Sequence, residues 1–364
     1  VQTGPHSTEE GRVPHDGDRT APAGHGGGEA PKLADVARHA GVSTATVSRC
    51  LNEPGRVQAA TRARVLDAVA ELGYRPNFSA RALAAGRTGI VGAVIPTMEN
   101  AIFARGLQAF QEALGGLGYT LLVASSSYRE DLEEEQIRTL AARGADGLLL
   151  IGHHRSGHIA EALGRQGIPA LVAWAYAPGH ARLPSIGFDN ARAMEALARA
   201  VIERGHRRIG VISAETAAND RARDRVLGVR RALRSAGLPD DPPVIETTYG
   251  FDTGGAAFRE LMARPEPPTA VMCGNDVLAV GAVGAARGMG LSVPGAVSIT
   301  GFDDIELATL VDPPLATVHV PHRAMGARAA EMLVRMVEEK RLDLPSVELE
   351  ADVRIRGTLG PAPG

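Results

Sequence analysis

Cysteine, tryptophan, lysine and long apolar runs are all scarce in this 364-residue chain. Its two cysteines, Cys50 and Cys273, stand far apart without a Cys-x-x-Cys pair, which excludes a disulfide framework and a thiolate zinc site and fits a reducing cytoplasm. Only two of the 39 basic residues are lysines, Lys32 and Lys340, and Ala, Gly and Pro abound, a bias of GC-rich coding rather than of function. Apolar runs such as Leu148–Ile151 fall far short of the roughly 20 residues a bilayer span needs, so no membrane partner is expected. The first thirty residues lack a basic start followed by an apolar core, so they are not expected to be an export signal. They also hold too few large apolar side chains to offset their ordering entropy, so residues 1–30 are expected to be a disordered tail. His6, His15 and His25 in that tail are irregularly spaced and read as solvated. No P-loop, G-x-S-x-G elbow, H-E-x-x-H or well-formed dinucleotide motif follows a strand, so neither catalysis nor a cofactor is expected.

What is present is unevenly charged. Under a formal net charge of -3, residues 31–88 carry nine Lys or Arg against four acids, about +5, while 1–30 come to -3 and 89–364 to about -5. A small basic module precedes a larger acidic one, the footprint of a chain of which one part meets a polyanion. A mass of 38.0 kDa with 44% hydrophobic residues suits two or three domains with a substantial core.

Residues 32–51 read KLADVARHAGVSTATVSRCL. Leu33, Val36, Ala37 and Ala40 form one helical stripe; after Gly41, Ser43 caps a second stripe of Val47, Cys50 and Leu51. A small residue, a glycine four positions on and a β-branched residue six further are the spacing of a helix-turn-helix, which an ordinary helical hairpin does not require. A third helix is expected from about Thr61 to Leu72, stopped by Gly73. Its Arg62 and Arg64 suit phosphates or open water equally. Residues 74–89, YRPNFSARALAAGRTG, are punctuated by Pro76 and Asn77 and hold a short helical stretch, Ser79 to Ala85, too small to stand alone.

Through ADVARHAGVSTATVSRCLN, TRARVLDAVAELGYRPN and ARALAAGRT in uninterrupted order, the chain resembles the LacI/GalR family of bacterial transcription repressors. The likeness extends, less densely, to about residue 357. It implies that the second helix lies in the major groove, with Thr44, Ala45 and Arg49 reading bases and Thr46, Ser48 and Asn52 facing phosphates. Arg49 offers a bidentate fork for guanine, worth about 1–3 kcal/mol of discrimination. Leu83 falls on the family's minor-groove wedge in a hinge that orders on the operator. Two positions depart from the family pattern: Lys32 and Gln58 stand where Thr and Ser usually cap the first and third helices, which puts the stability of the module in doubt.

From residue 89, continuous apolar runs alternate with helical ones: IVGAVIP, YTLLVAS, DGLLLIG and PALVAW, then RIGVIS, AVMCGND, VSITGFDD and TVHV. Such alternation indicates parallel sheets covered on both faces, hence two Rossmann-like lobes with a cleft at the strand ends. The expected fold class is therefore an all-α helix-turn-helix domain plus an α/β periplasmic-binding-protein-like domain of two lobes. Its boundaries are a tail at 1–30, a DNA-binding domain at 31–75, a hinge at 76–88, the effector-binding and dimerisation domain at 89–357 and a C-terminal tail at 358–364. By resemblance, Arg225, Asn275 and Asp303 fall on the polar effector positions, and an Arg fork beside carboxylate and amide suits the vicinal hydroxyls of a sugar or nucleoside. Asn100 and Phe103 match the first lobe's ligand-facing stretch; Asp189 and His322 lie near the lobe crossovers. Trp174 fits either stacking on a sugar face or the core, Asp303 also fits a turn cap, and Arg225 also fits an ion pair with Asp224 or Asp220. His322 departs from the apolar aromatic usual in relatives, which leaves the effector open. His153, His154 and His158 lack a carboxylate at repeating spacing and read as surface residues, not metal ligands.

The resemblance thus implies a cytoplasmic homodimeric repressor that binds double-stranded DNA at a palindromic operator under the control of a small-molecule effector. The ending TLGPAPG, with no leucine heptad, argues against tetramers. Rivals are a transporter's sugar-binding protein and a regulator controlled by a protein co-repressor.

Overall fold

The computed structural model describes residues 31–75, 86–99, 101–177 and 182–364. The expected tail at 1–30, most of the hinge with Leu83, and Asn100 lie outside the described residues. The chain divides into two compact units, one ending at residue 78 and the other beginning at 79.

In the first unit, α1 (Leu33–His39), α2 (Thr44–Asn52) and α3 (Ala59–Leu72) close around Val36, Ala37, Ala40, Val47, Cys50, Val65, Ala68 and Tyr74. Gly41 turns the chain at φ +64°, which lets the Val42 N–H reach the Ala37 carbonyl at 3.0 Å. Ser43 Oγ accepts the Thr46 N–H at 3.1 Å and caps α2 as expected. At α1, the Asp35 carboxylate reaches back to the Lys32 N–H at 2.9 Å, so half of a capping box replaces the usual cap. Gln58 makes no side-chain cap bond. The third helix nevertheless begins at Ala59, two residues before Thr61, because Ala59 and Ala60 are strong helix formers. It ends at Gly73, whose φ of 62° lets Tyr74 donate to the Val69 carbonyl at 3.0 Å.

The second unit holds two parallel sheets. The first lobe contains β1 (Ile90–Ile95), β2 (Thr120–Ser125), β3 (Gly147–Ile151), β4 (Ala170–Ala173), β5 (Ser185–Gly187) and the late β11 (Val347–Glu348), in the order β11-β5-β4-β3-β1-β2. The second contains β6 (Ile209–Ala214), β7 (Val244–Thr247), β8 (Ala270–Cys273) and β9 (Ser298–Thr300), in the order β7-β6-β8-β9. Helices α4 (Ala101–Gly116), α5 (Glu130–Ala142) and α6 (Gly157–Gln166) belong to the first lobe. The second lobe has α7 (Asn190–Glu203), α8 (Asp220–Ser235), α9 (Phe251–Met262), α10 (Asp276–Gly288) and the one-turn α11 (Leu307–Leu310). The chain then returns: α12 (His322–Glu338) packs along α4 and onto β3, β4 and β5.

Two expectations need correcting. TVHV does form a strand, β10 (Thr317–His319), but it meets the second-lobe sheet only through isolated parallel bridges at the end of β9 and pairs antiparallel with β12 (Asp352–Arg354). Residues 358–364, expected as a tail, are docked. Thr358 is fully buried and accepts the Ile299 N–H at 3.0 Å, Gly360 donates to Ser298 Oγ at 3.1 Å, and Ala362 donates to the Arg204 carbonyl at 2.9 Å. Backbone groups left open beside β9 and after α7 receive this segment.

Candidate DNA-reading face and effector site

The α2 sequence puts Val47 and Cys50 into the core, so the opposite face carries Thr44, Ala45, Ser48, Arg49 and Asn52. Thr44, Ala45, Arg49 and Asn52 are exposed, and Asn52 Nδ2 donates to Ser48 Oγ at 3.3 Å. Thr46 is on the shoulder, its hydroxyl 2.9 Å from Ser43 Oγ. Arg38 and Arg56 are engaged by Asp35 at 3.1 Å and Glu53 at 2.7 Å. Arg49, by contrast, has no ion-pair partner among the described residues, and neither do the exposed Arg62 and Arg64. The face therefore offers a free guanidinium fork between two short side chains and a polar rim.

In the second unit, two of the three residues expected to act together, Arg225 and Asp303, are in direct contact, and Asn275 follows Gly274, whose carbonyl Arg225 also holds. Arg225, on the buried side of α8, donates Nε to Asn190 Oδ1 at 2.9 Å, one Nη to the Gly274 carbonyl at 2.6 Å and the other to Asp303 Oδ1 at 3.4 Å. Its guanidinium lies 3.8 Å from the centre of the Phe302 ring. Of the alternatives, Asp220 is instead paired with Arg221 at 3.2 Å. Asn275 caps α10, its Oδ1 accepting the Leu278 N–H at 2.9 Å; that bond fixes the amide and leaves Nδ2 without a partner. Asp303, at φ 102°, likewise keeps Oδ2 unpartnered although the residue is fully buried. Next door, burial and then the Asp303 charge push the Asp276 carboxyl well above the usual carboxylate range. Thr317 Oγ1 lies 2.6 Å from Asp276 Oδ1, and the Ile305 N–H is donated to Oδ2 at 2.8 Å.

His322, Trp174 and Phe103 form a separate buried group. The Phe103 and Trp174 rings meet edge-on with centroids 5.3 Å apart, and the Trp174 indole donates to His322 Nδ1 at 3.2 Å. An indole only donates, so the imidazole proton sits on Nε2, which gives it to the Asp303 carbonyl at 3.1 Å. Burial lowers the pKa of His322 and keeps the ring neutral. Trp174 thus occupies a core position, 2% exposed, and none of Phe103, Trp174, Arg225, Asn275, Asp303 and His322 lines the cavity described next. Asp189 caps α7 through its bond from the Arg192 N–H at 2.9 Å.

A cavity of about 620 Å³ opens between the lobes at the strand ends. Thr97, Ser125, Ser127 and Tyr128 line it from the first lobe, Asn219, Thr247, Thr248 and Tyr249 from the second. The Tyr128 and Tyr249 rings meet across it with centroids 5.7 Å apart. Burial raises both phenol pKa values, so both hydroxyls stay protonated and can donate. Sequence reasoning missed these tyrosines, Asn219 and Asn190. Asn190 had a signal, a polar residue heading the apolar α7 stripe of Ala191, Met194, Leu197 and Ala198; the others had only their place after a strand. His158 is exposed and 3.1 Å from Glu134, but His153 and His154 are half-buried in the cleft rather than on the surface. No group of three or more potential metal ligands occurs among the described residues.

Comparison with known proteins agrees with this geometry. Residues 32–77 match the lacI family of bacterial regulatory proteins and residues 198–359 a periplasmic binding protein-like domain. Catabolite control protein A of Priestia megaterium is 32% identical over 323 residues, 88% of this chain and 97% of that protein. The lac repressor dimer solved with operator and the anti-inducer ONPF superposes with a TM-score of 0.81 at 25% identity, over 91% of this chain and 100% of the other. The regulator CelR, solved with cellobiose, gives 0.67 at 30% identity over 90% and 99%. A DNA-binding head of this kind removes the transporter reading. The chain belongs to the lacI family of bacterial regulatory proteins, as a DNA-binding repressor whose larger unit takes an effector.

Proposed function

We propose that the chain is a homodimer that grips a roughly palindromic operator in the cytoplasm, catalyses no reaction, and changes its DNA affinity when a sugar, nucleoside or related polyol fills the interlobe cleft. The observation that carries the effector class is the pair of buried unpartnered atoms, Asp303 Oδ2 and Asn275 Nδ2. One only accepts and the other only donates, and a hydroxyl satisfies both. Burying such atoms unmet costs about 1–3 kcal/mol each, which a polyol would recover on binding. The hydroxyl-lined cavity and its two tyrosine faces support the same class, as does the cellobiose held by CelR. Asn100, outside the described residues, belongs to this site on the resemblance alone, while His322 acts through Asp303.

At the DNA, Arg49 reads guanine, Thr44 and Ala45 supply short contacts, and Thr46, Ser48 and Asn52 hold phosphates. Two copies meet successive major grooves, and paired Leu83 side chains wedge a central base step. The functional divisions are 31–75 for DNA, 76–88 for the hinge and 89–357 for effector and dimer. Selection from randomised duplexes tests the DNA half: a two-fold symmetric consensus supports it, and no enrichment rejects it. A thermal-shift panel of sugars and nucleosides tests the other half, since a ligand at 100 times its Kd adds about 2.7 kcal/mol.

A further inference from the structure

One contact between the lobes lies beside the cavity, where Asp220 and Arg221 follow the cavity-lining Asn219, and is made without the polar trio. Gly152 and His153 follow β3 in the first lobe; Asp220 and Arg221 open α8 in the second. Asp220 Oδ2 accepts the His153 N–H at 2.5 Å while Oδ1 holds the Arg221 guanidinium at 3.2 Å, and both side chains are 9% exposed. Gly152 sits at φ +72°, and a Cβ there would overlap the Arg221 guanidinium and stand 2.5 Å from Asp220 Oδ1. A bare stretch of backbone from one lobe is thus pressed against a buried ion pair from the other. Burial pushes the Asp220 carboxyl up, but the Arg221 charge and the His153 N–H outweigh it and hold it below the usual carboxylate range. Its charge is therefore kept for the contact at neutral pH.

We propose that Gly152, His153, Asp220 and Arg221 form a latch that holds the two lobes closed before any effector arrives. This deepens the effector-control reading above and rests on it. Neither lobe needs the contact for its own core, so its free energy is realised only in the closed arrangement and biases that population. An effector whose site is complete only between closed lobes binds with an apparent Kd divided by the closed fraction. None of the four latch residues lines the cavity of about 620 Å³, and they act as positioning residues.

Hydrogen exchange of the full-length, ligand-free protein reads the latch directly, through the His153 amide. Asp220→Ala is expected to speed its exchange at least tenfold while β3 amides stay protected. Gly152→Ala, placed in the other lobe, is expected to do the same, and the double variant to go no further than either single one. Gly167→Ala controls for backbone strain, since Gly167 has φ +68° in the same lobe with nothing within 4 Å of its Cβ position. Asp220→Asn, which keeps an oxygen acceptor, is expected to retain most of the protection. Unchanged His153 exchange in Asp220→Ala and Gly152→Ala overturns the latch, as does an additive double variant or a Gly167→Ala that behaves like Gly152→Ala. If Asp220→Ala loses protection across the whole second lobe, Gly152→Ala decides. Neither DNA nor effector enters the measurement, so its failure is distinct from a failed duplex selection.

Discussion

Removing the Arg225 guanidinium is the sharpest test of how the buried polar cluster around Asp303 is held. Arg225→Met keeps roughly the side-chain volume and the packing on Phe302, but it strips donors from Asn190 Oδ1, the Gly274 carbonyl and Asp303 Oδ1 at once. The largest consequence falls on Asp303, fully buried and with no other cation in ion-pair reach among the described residues. Breaking a buried pair from one side costs about 3–5 kcal/mol. At roughly 2 °C per kcal/mol for a unit of this size, melting should fall by about 6–10 °C. Asp303→Asn, chosen because Asn tolerates the positive φ of 102°, removes the stranded charge. The double variant should therefore recover at least half of the loss. Arg225→Lys should fall between, since an ammonium keeps the charge but cannot reach three acceptors in one plane. Calorimetric melts of the four proteins at pH 7 give the coupling from the double-mutant cycle. If Asp303→Asn rescues nothing, or if Arg225→Met costs less than about 1 kcal/mol, the uncompensated-charge argument fails.

Three further outcomes follow from the same geometry. Arg49→Ala should lower affinity for a selected operator by about 1–3 kcal/mol in fluorescence anisotropy while leaving the weak, salt-sensitive binding to random duplex; equal losses on both DNAs refute base reading by this residue. Ser43→Ala should raise the exchange of α2 amides by an amount equivalent to about 1 kcal/mol, because the Thr46 N–H loses its side-chain acceptor and keeps only the Ser43 carbonyl at 2.9 Å; unaltered exchange means the cap is idle. For His322, burial lowers the folded pKa, so below the unfolded value of about 6.5 the unfolded chain takes up a proton that the native ring refuses. Stability is complete above that value and declines as pH falls from 7 towards 5. His322→Phe should be less stable throughout yet show a shallower slope, with His153 and His206, also depressed by burial, carrying the remainder; an identical slope in denaturant titrations excludes His322 as a contributor.

The parts that could be read from residue order are those in which a local rule and the tertiary core agree. Gly41, Ser43 and Val47 each state their place in α1-turn-α2 through backbone handedness, capping and shape, and the structure uses them that way. Long buried strands such as β1 and β3 announce themselves by continuous apolar residues. β5, β7, β11 and β12 do not, since they span only two to four residues and take their strand character from a neighbour already in place. The docking of residues 358–364 is invisible for the same reason: Gly and Pro dominate, and what fixes the segment is a set of distant partners that includes the Ile299 N–H, Ser298 Oγ and the Arg204 carbonyl. Of the proposed effector site, Arg225, Asn275 and Asp303 could be singled out by likeness, whereas Tyr128 and Tyr249 meet only because two strand ends from different lobes face each other.

His322 shows why a departure from a family pattern deserves a physical account before it is treated as noise. An apolar ring at the start of α12 would fill the space beside Trp174 and Phe103, but it would leave the Trp174 indole N–H and the Asp303 carbonyl facing it with no partner from that ring. Each such loss costs about 1–3 kcal/mol in a buried site. Imidazole suits both, because its two nitrogens lie on opposite edges and, when neutral, one accepts while the other donates. Trp174 follows β4 in the first lobe and Asp303 follows β9 in the second, and both have positive φ, 62° and 102°. The ring therefore ties together two strained strand ends from different lobes. A substitution that looks like a change of effector contact is, in this fold, a change in how the backbone bearing the buried Asp303 carboxylate is held.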